Sequence, residues 1–193
     1  MPHRSALETA LQRLHKRLEA GPHNPHTSIE RGMTYFKMGC IAAAIADFDR
    51  AEQLNPALTP YLWQRGLAYY YAERFAEGAR QFETDLTVNG QDVEETVWRY
   101  LCQARLHGAQ AAREALLPVR DDPRPVMGWV YRLFAGECDA ETVVAHHQAL
   151  GRRDRFYCQL YMGLYFEAEQ AETQLLDDYM GWLAIVHRRL RGW

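Results

Sequence analysis

Histidines, acidic pairs, cysteines and arginines are the side chains here that could do chemistry, and their spacing argues against most of it. His146 and His147 are adjacent, and neighbours on a helix diverge by about 100°, so the two do not readily meet one metal ion. His23 and His26 flank a proline turn without a third or fourth ligand beside them, short of what a zinc site takes. The pairs Glu94-Glu95, Asp121-Asp122 and Asp177-Asp178 fall at helix starts or in loops, where solvation accounts for them. Cys40, Cys102, Cys138 and Cys158 lie far apart with no Cys-x-x-Cys, each among apolar residues at a helical position; small buried thiols are expected, rather than disulfides or a metal site. No Gly-rich phosphate loop, nucleophile elbow or His-Glu-x-x-His occurs. The expectation is a protein that is not an enzyme, with no catalytic residue, no cofactor and no metal.

Two short basic clusters remain, Arg152, Arg153 and Arg155, and Arg188, Arg189 and Arg191. They read as solvated helix ends favoured by the helix dipole, with RNA or phosphate contact as the alternative. The net charge of -3 supplies no global attraction to nucleic acid or anionic membrane. Nucleic acid is therefore not an expected partner. At 193 residues, 48% hydrophobic and 24% charged, the composition is globular, and one domain is expected. The start, Met-Pro-His-Arg-Ser-Ala-Leu-Glu, lacks the apolar run of a secretion signal. No stretch approaches the ~20 apolar residues of a membrane span. A soluble, cytoplasmic protein is the resulting expectation.

The elements that would position any site follow a repeat. Arg31/Arg65, Gly32/Gly66, Tyr35/Tyr69, Phe48/Phe82 and Asn55/Asn89 are each 34 positions apart. Ahead of them, Ala6, Leu7, Ala10, Leu11, Leu14 and Leu18 predict one amphipathic helix over 6–18, ended by Gly21-Pro22-His23-Asn24-Pro25. Repeat one spans 25–58 and repeat two 59–92, opening on or near Pro25 and Pro60, residues suited to a first helical turn. Small Gly32 and Ala44 let the paired helices approach, Tyr35 and Phe48 fill the layer between one pair and the next, and Pro56 stops the second helix. Two diverged pairs occupy 93–155: helices over 93–107 and 109–117, a proline-rich connection at 118–125, then helices over 126–134 and 139–150, the last capped by Asp139. The pattern returns over 156–190, with a final helix over 172–190.

The period and the residues at its signature positions resemble the tetratricopeptide repeat, two antiparallel helices per unit. The fold class implied is all-α, a tetratricopeptide-type α-solenoid with an N-terminal capping helix. The segments Arg65–Tyr71, Trp98–Leu101, Gly128–Gly136 and Phe156–Tyr165 come in an order similar to the later half of the bacterial new lipoprotein I family, and to small tetratricopeptide-like proteins of algae and plants. That resemblance implies an adaptor without catalysis of its own, often dimeric, that docks other proteins.

In such a repeat, positions 2, 5, 9, 12 and 13 of each first helix face a groove. Here they place Ile29, Met33, Phe36, Trp63, Leu67, Tyr70 and Tyr71 together as a partner-binding groove. The lining is apolar and aromatic, suited to a helical or hydrophobic segment of a protein or peptide partner. A groove filled by the chain itself, or a homodimer interface, remains the alternative. The Lys and Asn donors of a two-carboxylate clamp are missing, since Ile29, Met33, Trp63 and Gln64 take the relevant positions. Binding of chaperone tails is not expected.

Overall fold

A computed structural model describes residues 2–147 and 151–170. Every regular element among them is a helix. The chain divides into two compact units, one ending at Asn89 and the other beginning at Gly90.

In the first unit, α1 (Pro2–Ala20) packs on α2 (Pro25–Lys37), α2 on α3 (Ile41–Leu54), α3 on α4 (Trp63–Tyr71), and α4 on α5 (Phe75–Asp85). Asn24 starts α2 by accepting the Thr27 amide at 3.1 Å, with Pro25 where a missing N–H costs nothing. Leu14 buries α1 against the rest, and Arg17 pairs with Glu30 of α2. Between α2 and α3 the chain turns through Gly39 at φ 76°. The corresponding turn one repeat later uses Glu73 at φ 59°, a left-handed conformation that a side chain makes less favourable.

Close approach of the paired helices is visible atom by atom. A Cβ on Gly32 would sit 2.9 Å from the Phe48 ring and 3.2 Å from the Ala44 carbonyl, and one on Gly66 would sit 2.6 Å from Phe82. Phe48 and Phe82 are both fully buried, so neither ring can swing clear. The arginine before each glycine repeats as well. Arg31 forks onto Asp47 at 2.7 and 2.8 Å, and its guanidinium stands 5.9 Å from the Tyr35 ring centre. Arg65 keeps the 5.9 Å distance to Tyr69 but binds Glu52, Asp49 and Gln81 instead.

One element departs from the sequence reading. Pro60 does not open the first helix of repeat two; it lies inside a short 3-10 helix, Pro56–Tyr61, and α4 begins only at Trp63. The cause is Asn55, whose side chain accepts the Ala57 amide at 3.2 Å and, with Pro56 behind it, starts a tight turn at once. The fully buried Leu62 separates that turn from α4.

The second unit contains α6 (Val93–His107), α7 (Ala109–Glu114), α8 (Pro125–Phe134), α9 (Ala140–His147) and α10 (Arg152–Gln170). Val97, Tyr100, Leu101 and Ala104 of α6 are buried as their spacing predicts, with Met127, Val130, Leu133 and Phe134 from α8 and Tyr161 and Leu164 from α10. Asp139 caps α9 by accepting the Thr142 amide at 2.8 Å. The segments expected over 148–150 and 172–190 lie outside the described residues.

Of the acidic pair in the proline-rich connection Asp121 is exposed, as expected, but the Asp122 side chain is not solvated. Asp122 is nearly inaccessible: it takes the Arg124 guanidinium at 2.7 and 2.9 Å and the Val93 amide at 3.0 Å. Burial works against its charge, and these donors outweigh burial, holding the carboxyl below its ordinary value. Glu94 accepts the Tyr161 hydroxyl at 2.7 Å and also meets Arg124. Gln91 accepts the amides of Arg120 and Asp121 at 2.9 and 3.2 Å, so the connection is tied down along its length. Asp177-Asp178 lies outside the described residues.

Gly66→Ala is expected to destabilise the protein by roughly 1–3 kcal/mol through overpacking on Phe82, and Gly32→Ala by less. Gly128→Ala, where an added Cβ meets nothing within 4 Å, should be neutral or stabilising by up to about 1 kcal/mol. Urea unfolding of the three variants checks the order. Loss of the Asp122 charge is expected to weaken the second unit in acid: its contribution is present above the ordinary carboxylate range and disappears as pH falls through its lowered native value. Asp122→Asn should flatten the acid limb of a melting-temperature profile.

Candidate binding face

The residues assigned to a groove all belong to the first unit, and ring contacts join three of them, Phe36, Tyr70 and Tyr71. Phe36 at the end of α2 meets Tyr71 of α4 edge to face, ring centres 5.8 Å apart. Tyr71 in turn meets Tyr70 at 5.7 Å, and Tyr70 meets Phe75 of α5 at 5.5 Å. One turn back, Gln64 of α4 reaches the sulfur of Met33 in α2 at 3.8 Å. Ile29, Met33 and Phe36 are half-buried and rest on the core formed by Ala44, Ile45, Phe48, Leu62, Ala68 and Tyr69.

Exposure sorts these residues into floor and rim. Trp63 is 44% exposed and Tyr71 36%, while Leu67 is half-buried beside them on α4. Tyr70 is only 7% exposed and acts as packing beneath Tyr71, not as a ring offered to a partner. Helical spacing places positions 70 and 71 next to one another but does not tell which one turns inward; α5 decides it, because Phe75 closes over Tyr70. Tyr61, 60% exposed just before α4, is a further aromatic near Trp63 in the chain. Sequence reasoning missed it because it missed the 3-10 helix that carries it.

Beneath the face lies a charged layer that holds α3, α4 and α5. Arg65 is buried; its two amino groups contact Glu52 at 2.7 and 2.9 Å and Asp49 at 3.1 Å, and its Nε donates to Gln81 at 2.8 Å. The hydrogen bond from Arg65 holds the Glu52 carboxyl below its usual value. The Tyr69 hydroxyl donates to Asp49 at 3.2 Å. In this layer the carboxylates and the guanidinium satisfy one another.

The other candidates disperse. Among the described residues no three His, Cys, Asp or Glu side chains come together as a metal site. His26 is exposed, and His23 stands 3.4 Å from Arg50. His146 is exposed and stacks on Trp129 with ring centres 3.8 Å apart, while Arg132 covers the same indole at 4.7 Å. Cys102 and Cys158 are buried, and burial pushes their thiols up to about 12 and about 11. Cys40 is a correction, exposed at the residue preceding α3 because the turn at Gly39 ends the helical ladder before it. Arg152, Arg153 and Arg155 are exposed at the first turn of α10, the end where the dipole disfavours cations, so the dipole does not explain them. Arg153 instead stands 5.8 Å from the Tyr157 ring. Arg188, Arg189 and Arg191 lie outside the described residues. No described helix is long and apolar enough to cross a membrane.

A stretch of 103 residues is 27% identical to the protein SGT1 homologue of Bos taurus, covering 53% of this chain and 30% of that protein. The chain thus spans less than a third of the relative's length. No protein-family model matches it.

Tyr70→Ala is expected to cost roughly 3–5 kcal/mol of folding stability, as for other buried aromatics, whereas Trp63→Ala should stay within about 1 kcal/mol. Chemical unfolding of both variants separates floor from rim; equal losses would contradict the assignment.

Proposed function

We propose that this chain is a non-catalytic interaction module, a tetratricopeptide-type stack of helix pairs whose first unit receives a helical or hydrophobic segment of a protein partner. The observation that carries the reading is the row of half-exposed side chains on α2 and α4. Ile29, Met33, Phe36, Leu67, Trp63 and Tyr71 stand on corresponding faces of two repeat-related helices. Solvent-facing aromatics grouped in this way are the surface that an amphipathic helix or apolar segment covers. Likeness to the SGT1 homologue over half the chain supports the repeat reading. Internal support comes from the 34-residue period, which recurs in three dimensions as matching Gly–Phe and Arg–Tyr contacts.

Full burial of one aromatic anchor contributes roughly 1.5–3 kcal/mol, or about one to two orders of magnitude in affinity. Trp63→Ala with Tyr71→Ala, checked for unchanged helicity, is therefore expected to abolish recovery of protein partners in pull-downs from cells. Undiminished recovery would remove the face from the mechanism. Self-association through the same face is the alternative occupant, and light scattering across a dilution series identifies it by a mass that falls with concentration.

A further inference from the structure

The two repeats handle their shared arginine differently, and the difference leaves a carboxyl without a cation of its own. In repeat one, Arg31 binds Asp47 directly, and the residue one helical turn on is the fully buried Ala51. In repeat two the corresponding positions hold Gln81 and Asp85. Arg65 gives its amino groups to Glu52 and Asp49 and only its Nε to Gln81; Gln81 then donates at 2.7 Å to Asp85 and at 2.8 Å to the Thr59 carbonyl.

Asp85 is 1% exposed, and its Oδ2 has no hydrogen-bond partner among the described residues. It closes α5, where the helix's free carbonyls and dipole oppose an anion. Arg65 from α4 is the charged group that acts on it, already engaged by Asp49 and Glu52 of α3; the 3-10 helix contributes the neutral Thr59 carbonyl to the cluster. Desolvation, larger than the help from Gln81 and Arg65, raises this carboxyl to about 7.

We propose that the chain of side chains Arg65–Gln81–Asp85 is a proton-operated latch that fastens α5 to the 3-10 helix through Thr59, and so sets the posture of Tyr61 and Trp63. With Asp85 neutral, Gln81 bridges α5 and the 3-10 helix. When Asp85 loses its proton, a buried anion beside carbonyls forces water in or the last turn of α5 out, and the bridge to Thr59 loosens. The stability that the neutral carboxyl supports is fully present below the ordinary carboxylate range, and is lost as pH rises through about 7. This inference does not depend on what the aromatic face binds.

The test is an NMR pH titration of the full chain, following the Asp85 carboxyl carbon and the Trp63 indole N–H, the latter assigned with Trp63→Phe. Both are expected to titrate together, with a midpoint near 7. In Asp85→Asn, and in Asp85→Ala, which installs the residue that repeat one carries, the indole should show no step there. Gln81→Leu should keep the carboxyl step and uncouple the indole from it. An Asp85 midpoint in the ordinary carboxylate range, an indole that does not follow Asp85, or an indole step that survives in the Asp85 variants would each overturn the latch.

Discussion

A phenylalanine ring laid on a glycine sets the spacing of each helix pair in the first unit. Phe48 fills the space where Gly32 has no side chain, and Phe82 does the same over Gly66. With both rings fully buried, the distance between paired helices cannot grow without a void or shrink without a clash. From that distance follow the reach of Arg31 to Asp47, of Arg65 to Gln81, and the level at which α2 and α4 present their outward faces. The residues of the aromatic face on α2 rest on the same core that this packing builds.

Charge is arranged under that face in a way that apolar packing alone would not require. Repeat one uses one arginine and one carboxylate as a closed pair. Repeat two draws carboxylates from α3 onto Arg65 and leaves Asp85 behind Gln81, so the first helix of the second pair is tied to both neighbours. Polar networks of this kind specify register because each member has few alternative partners, and they are sensitive because a missing partner is costly in a low-dielectric interior.

Helical periodicity and the 34-residue repeat were legible in the amino acids because both depend on local spacing. The helix over 93–107 has the bounds its pattern implies, and Asp139 caps as its residue type suggests. What spacing could not convey was set by contacts distant in sequence. Which of Tyr70 and Tyr71 turns inward depends on Phe75; whether Asp122 meets water depends on Arg124 and the Val93 amide; the delay of α4 to Trp63 depends on how Asn55 starts a tighter helix. Cys40 and the arginines of α10 carry the same lesson at helix ends, where a shift of one or two residues changes exposure and the sign of the dipole's effect.

The most direct measurement is site-specific photo-crosslinking in cells, with a benzophenone side chain placed at Tyr71 on the aromatic face or at Leu117, equally exposed in the other unit. The account predicts discrete protein adducts from position 71 and few from position 117. Adducts of equal yield from both positions, or from 117 alone, would contradict a partner docked on α2 and α4.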